Sequence, residues 1–309
     1  MTKKYDVIII GAGPGGMTAA LYAARANLSV LMLDRGIYGG QMNNTGAIDN
    51  YPGLPDITGP ELSEKMYQGT MKFGPEFAYG EVKDIKLEGT KRIVVTDNGD
   101  FEAPVVLIGT GADHRHLGVP GEEEYSGRGV SYCAVCDAAF FKNENLAVIG
   151  GGDSAVEEGI FLAQTAKKVT IIHRRDTLRA QPILQKRAFA NDKINFIWNA
   201  QTEEIIGDGQ KVTGVKYKNK ETGEQEVLPV AGVFIYVGVI PQSKPFKNLG
   251  ITDEQGWIIS DDHMKTTIPG IFAFGDVRKK DLRQIATAVG EGSIAGQEAF
   301  KYLQDLNDK

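Results

Sequence analysis

Val7-Ile8-Ile9-Ile10-Gly11-Ala12-Gly13-Pro14-Gly15-Gly16 decides how this chain folds. Four β-branched residues in a row read as a strand buried on both faces, and the glycines stop it. Residues 17–26 are helix-forming, so the order is strand, glycine turn, helix. A second strand, residues 29–33, closes on Asp34, twenty-three positions after Gly11. In that setting the glycines allow a tight turn and close backbone approach, the helix start offers amides to a pyrophosphate, and the acid meets a ribose hydroxyl. An ordinary glycine-rich turn would not need all of these in register.

The pattern returns 139 positions later. Leu146-Ala147-Val148-Ile149 runs into Gly150-Gly151-Gly152-Asp153-Ser154-Ala155, then a helical stretch at 156–166 and a strand at 169–172. Ala155 takes the place of the last glycine, which this motif tolerates. An internal repeat of this kind means two dinucleotide-binding units. Where the first copy has Asp34-Arg35, the second has His173-Arg174-Arg175, with Arg179 about one helical turn further on. A carboxylate repels a 2′-phosphate, whereas guanidinium groups bind it through paired, charge-assisted hydrogen bonds. The second unit is therefore expected to prefer NADPH to NADH, and the first to hold a nucleotide without that phosphate. The competing reading of the basic run is a solvated helix start.

With 309 residues the chain is long enough for two cored domains. Its 42% apolar and 24% charged residues are those of a globular protein, and the formal net charge of −6 argues against general binding to nucleic acid or to a membrane surface. The N-terminal apolar run is too short for a signal segment and no stretch is long enough to span a bilayer, so a cytoplasmic setting is expected. Residues 82–107 and 204–237 read as further strands. Leu117-Gly118-Val119-Pro120-Gly121 and Gly238-Val239-Ile240-Pro241 read as linkers, and Gly270-Ile271-Phe272-Ala273-Phe274-Gly275-Asp276 as a late buried strand, followed by a helix at 287–303. The resulting plan is an α/β chain of two Rossmann-like three-layer units, one discontinuous over 1–115 and 242–309, the other inserted at 116–241.

Both cysteines of the chain lie in Ser131-Tyr132-Cys133-Ala134-Val135-Cys136-Asp137. In a reducing compartment a lone Cys-x-x-Cys is more often catalytic or metal-binding than structural. Such a pair can close a reversible disulfide, and a helix start lowers a thiol pKa. Asp137 is placed to give or take the proton that exchange requires. NADPH delivers a hydride and a disulfide is opened by thiolate chemistry, so two nucleotide folds beside one dithiol call for a flavin between them, FAD in the first unit. The plainer readings are a zinc site borrowing His114 and His116, two inert buried thiols, or Asp137 as a helix cap.

GAGPGG with the GGQMNN loop, CAVCD, GGGDSAVEE with HRRDTLRA, and GD…RQIATAVGEG occur in this order over essentially the whole chain. The set resembles the bacterial low-molecular-weight thioredoxin reductases. That resemblance implies FAD in the discontinuous unit, NADPH in the inserted one, a homodimer, and thioredoxin as the oxidised partner. It implies that FAD meets Gly11, Gly13, Pro14, Gly15, Gly16, Asp34, Arg35, Gly39, Gly40, Gln41, Asn50, Val82, Gly109, Thr110 and Gly111, and, from the tail, Gly275, Asp276, Arg283, Gln284 and Ile285. NADPH would meet Gly150, Gly151, Gly152, Asp153, Ser154, Ala155, His173, Arg174, Arg175 and Arg179. It makes Cys136 the flavin-facing sulfur, Cys133 its disulfide partner and Asp137 the acid/base, and it implies a domain rotation letting nicotinamide and dithiol take turns at the flavin. Gly109 stands where this family often has alanine, Ala138 where glycine is common, and His114-Arg115-His116 is an unusual run. The runner-up is a related dithiol oxidase or a reductase of a peroxiredoxin, followed by a ferredoxin or flavodoxin reductase or an NADPH-sensing flavoprotein.

Overall fold

The computed structural model describes residues 2–308 apart from 45–47, 49, 55 and 56; the side chains of 135, 136 and 307 also lie outside the described set. The chain forms two compact units, one of Met1–Asp113 with Ile240–Lys309, the other of His114–Val239.

In the discontinuous unit a five-stranded parallel sheet has the order Ile271–Ala273, Val105–Ile108, Val7–Ile10, Val30–Asp34, Glu76–Tyr79. Alternation along the strand Val7–Ile10 divides its side chains between two cores. Val7 and Ile9 pack with Met17, Leu62, Ala295 and Ala299, which come from the helices α1 (Pro14–Arg25), α2 (Gly59–Met71) and α6 (Ile285–Asn307). Ile8 and Ile10 pack on the other side with Val82, Ile85, Val94 and Ala103 of a four-stranded sheet built from Lys3–Lys4, Gly99–Ala103, Lys91–Thr96 and Val82–Glu88. All four residues of Val7–Ile10 are buried, which is why the sequence there is continuously apolar rather than alternating.

The inserted unit repeats the plan. Its parallel sheet runs Val130–Ser131, Gly232–Tyr236, Asn145–Gly150, Lys168–Ile172, Ile194–Ile197. Leu146 and Val148 face the helices α3 (Ala134–Asp137), α4 (Asp153–Leu162) and α5 (Pro182–Phe189). Ala147 and Ile149 face Ile205, Val212 and Val215 of an antiparallel sheet, Ala200–Gly207, Val212–Asn219 and Gln225–Pro229.

One expectation about connections needs correction. Leu117–Gly121 belongs to the inserted unit rather than to a linker. Leu117 and Val119 pack on its core, Ile205 N donates to Pro120 O at 2.9 Å, and a Cβ on Gly121 would come within 1.9 Å of Ile205 O. The buried Glu122 carboxylate accepts the amides of Leu117 and Gly118 at 2.9 and 2.7 Å. Both helices after the glycine turns also begin three residues earlier than their apolar patterns, at Pro14 and Asp153. Pro14 has no amide to lose at a helix start, and the motif's last residues form the first turn. Among the described residues no helix is long and apolar enough to cross a membrane.

Candidate active site

The two glycine turns fold alike, and each glycine has its own reason. At Gly11, φ is +108°, and a Cβ would lie 2.3 Å from Gly109 O; at the equivalent Gly150 it would lie 2.4 Å from Tyr236 O. Both positions let the turn press against the neighbouring strand. Gly16 packs so closely that a Cβ would sit 1.8 Å from Gly11 O. Gly15 is closed in by Phe274 and by Ala288 O. Gly13 and Gly152 differ from all of these: nothing lies within 4 Å of where their Cβ would be. They are the N-caps of α1 and α4, extended, with no side chain capping the helix amides. Packing demands glycine at neither, so the space beside each helix start suits the close approach of a pyrophosphate. This is the fit expected of a dinucleotide cradle, twice.

Around the first cradle Asp34 ends its strand with both oxygens engaged, Oδ2 accepting Ala12 N at 2.7 Å and Oδ1 accepting Gly36 N at 2.9 Å. Arg35 is exposed and pairs with Asp113 at 3.9 Å. Gly39 N donates to Ala12 O, and Gly40 lies against Gly13. Gln41 reaches Asp113 at 3.4 Å. A cleft beside the strand ends is lined by Asp34, Arg35, Val82, Thr110, Lys244 and Phe246. The Gly109-Thr110-Gly111 turn closes it, with Thr110 Oγ1 donating to Gln242 O at 2.7 Å. Gly109 cannot carry a methyl group here because its Cβ would lie 2.2 Å from the Phe274 ring. From the tail, Gly275 N donates to Glu291 at 2.6 Å, Asp276 pairs with Lys280 at 3.2 Å, and Arg283 lies 3.8 Å over the Trp257 ring. Gln284 caps α6, whose first residue is Ile285, and joins Asn50 at 2.9 Å. Trp257 carried no sequence signal; Phe274 and Glu291 lie inside the late strand and the tail motif, but their contacts with the glycine turns and with Gly275 N come only from the fold.

Around the second cradle Asp153 accepts Gln181 N and Nε2 at 2.7 and 2.9 Å, Ser154 is exposed, and Ala155 is buried against Gly150. The basic cluster expected at 173–175 is carried by the arginines only. His173 occupies the position of Asp34 but is buried, its ring filling the space over Gly151 and meeting Trp198 edge-on. Burial pushes its imidazolium pKa down, which disfavours a positive charge there. Arg174, Arg175 and Arg179 are exposed, and Arg179 N donates to Gly151 O at 2.7 Å, which fixes that arginine beside the glycine turn.

Cys133 is disulfide-bonded and immediately precedes α3. Ser131 holds its backbone, Oγ accepting Cys133 N at 3.0 Å and donating to Cys133 O at 3.1 Å. The backbone of Cys136 is in α3; its side chain, which sequence reading made the flavin-facing sulfur, lies outside the described residues. Asp137 begins a 3-10 turn, Ala138–Phe141, without a side-chain capping bond to it, so its carboxylate is not consumed as a cap. Tyr132, next to the disulfide, donates to the buried Glu122 at 2.7 Å and meets His116 at 2.8 Å, which draws part of the His114-Arg115-His116 run into the packing of this unit.

A family model described as pyridine nucleotide-disulphide oxidoreductase matches residues 5–292. The chain belongs to that family. Within the pyridine nucleotide-disulphide oxidoreductases it is 58% identical to a thioredoxin reductase of Listeria monocytogenes over 306 residues, 99% of this chain and 96% of that one. It is 55% identical to a thioredoxin reductase of Bacillus subtilis over 307 residues, 99% and 97% of the two chains. Among solved structures, thioredoxin reductase of Lactococcus lactis in its FR conformation matches with a TM-score of 0.88 at 56% identity, covering 97% of this chain and 99% of that one.

Proposed function

We propose that this chain is an NADPH-dependent thioredoxin-disulfide reductase, with FAD held in the discontinuous unit and NADPH in the inserted one. The observation that carries the reading is the Cys133 disulfide in a unit that has its own dinucleotide cradle. FAD, when bound, supplies the chemistry that side chains lack, accepting a hydride from NADPH and passing an electron pair to a disulfide. Everything else falls to residues of this chain.

Gly13 and the free amides of α1 hold the flavin nucleotide's pyrophosphate, and Asp34 fixes the turn beside it. The cleft by Val82 and Thr110 receives the adenosine end, while Asn50, Asp276, Arg283 and Gln284 surround the remainder. Gly152 does the same for NADPH, and the exposed guanidinium groups of Arg174, Arg175 and Arg179 bind its 2′-phosphate. Reduction of the Cys133–Cys136 disulfide yields two thiols. One, as thiolate, attacks the disulfide of thioredoxin and the other resolves the mixed disulfide, so thioredoxin leaves with two thiols and the Cys133–Cys136 bond is restored. Asp137 receives and returns the proton this exchange moves. The enzyme works as a cytoplasmic homodimer, and nicotinamide and dithiol alternate by domain rotation.

The test is NADPH-dependent reduction of thioredoxin by the FAD-loaded protein and by its Cys133→Ser and Cys136→Ser variants. Each variant is expected to lose thioredoxin reduction by more than 100-fold, on the order of removing a catalytic nucleophile, while NADPH still bleaches the flavin. Thioredoxin reduction that survives both substitutions rejects the proposal.

A further inference from the structure

Below the dithiol helix lies a pair of side chains that the mechanism above does not use. Tyr236, the last residue of the strand Gly232–Tyr236, accepts the amide of Ala134 on its hydroxyl at 2.8 Å. Ala134 is the residue after Cys133 and the first of α3. Tyr236 therefore ties the sheet to the backbone on which the dithiol stands. Helix α4 packs against both α3 and this strand, and it carries Glu158. The Glu158 Oε2 atom is buried with no hydrogen-bond partner among the described residues. An ionised carboxylate oxygen left in that position is disfavoured, so the group gives up its proton only at a higher pH than an exposed carboxyl does.

We propose that Glu158, acting across the packing of α4 on α3, is a positioning residue for the Cys133/Cys136 pair: uncharged it leaves a thiolate free to form beside Ala134, and charged it opposes that thiolate. The proposal rests on the reading of the pair as a working dithiol. Burial first, and the neighbouring Glu157 second, push the Glu158 carboxyl up to about 7, so its charge changes in the range where the thiols act. Burial raises the Tyr236 phenol, and the charges of Glu158 and then Asp137 add to this, with the Ala134 amide opposing, so Tyr236 stays protonated. Among the described residues the titratable groups that bear on this pair are Glu157 on the same helix, which acts on Glu158, and Asp137 of α3, which acts on Tyr236. Lys168 on the strand Lys168–Ile172 and Lys186 and Arg187 on α5 are exposed and do not shift Glu158. In exchange, one thiol loses its proton before its sulfur attacks, so negative charge appears at α3; a second negative charge on Glu158 raises the thiol pKa and reduces the thiolate fraction.

The experiment is the rate at which iodoacetamide alkylates the dithiothreitol-reduced holoenzyme from pH 5.5 to 9, followed by mass for wild type, Glu158→Gln and Glu158→Asp. Wild type is expected to show an inflection near pH 7 in addition to the thiol titration. Glu158→Gln should match wild type at pH 5.5, be at least threefold faster at pH 8, and lack the inflection; Glu158→Asp should keep it. A wild-type curve without the inflection, or a Gln-to-wild-type ratio that does not change with pH, overturns the proposal. Thioredoxin reduction measured on the same wild-type sample separates the two readings: its absence rejects the proposed function, while the alkylation ratio still judges Glu158.

Discussion

Gly13 and Gly16 stand three residues apart in one turn and would answer a methyl group in opposite ways. Nothing lies within 4 Å of a Cβ on Gly13, whereas a Cβ on Gly16 would meet Gly11 O at 1.8 Å. Gly16→Ala is expected to destabilise the fold by roughly 2 kcal/mol or more, since the turn must open to admit the methyl group. Gly13→Ala should leave unfolding by urea within about 0.5 kcal/mol of wild type and weaken FAD binding at least tenfold, because the methyl group fills the space the pyrophosphate needs. Equal losses of stability in the two variants, or full FAD affinity in Gly13→Ala, would contradict these roles. The glycines were legible in the sequence because each obeys a local constraint of turn or approach. His173 was not. Its register marked it as the counterpart of Asp34, but only the fold shows the ring buried over Gly151 and Trp198 beside it, and burial decides its charge.

At the scale of elements, α6 is held to its unit by a buried carboxylate. Glu298 pairs with Lys265 at 2.9 Å and Lys301 at 2.7 Å, and these bonds bring its carboxyl down to about 2. A depressed carboxylate contributes stability that is present above its unfolded value near 4.5 and is lost as pH falls toward 2. Glu298→Gln should therefore cost about 1–2 kcal/mol at pH 7, a figure reduced for solvent screening of the exposed lysines. The gap to wild type should shrink between pH 4.5 and pH 2.5 in urea unfolding; a gap that stays constant would refute the assignment. Elements whose pattern is periodic were legible, as with the late helix. Their starts were less so, because Pro14 and Asp153 begin α1 and α4 without apolar residues to announce them. Glu157 and Glu158 show the same limit: adjacent and identical in sequence, one is exposed and the other mostly buried.

For the whole molecule, the repeat at 139 positions foretold two parallel sheets of one design, because each copy needs the same strand, turn and helix to build a nucleotide cradle. The chain enters the inserted unit at His114 and leaves it after Val239. Leu117–Gly121 misled as a linker because glycine and proline punctuate a packed loop as readily as a free one, and the deciding contacts, with Ile205 and Glu122, come from other parts of the unit. In the proposed reaction, what joins the two cradles into one enzyme is the passage of an electron pair from NADPH to the sulfur pair in Ser131–Asp137. The direct measurement is anaerobic mixing of the FAD-loaded protein with one equivalent of NADPH, followed by alkylation and mass analysis of the peptide bearing Cys133 and Cys136. Both cysteines should be labelled after NADPH and neither before it; a bleached flavin with both cysteines still unlabelled would contradict the account.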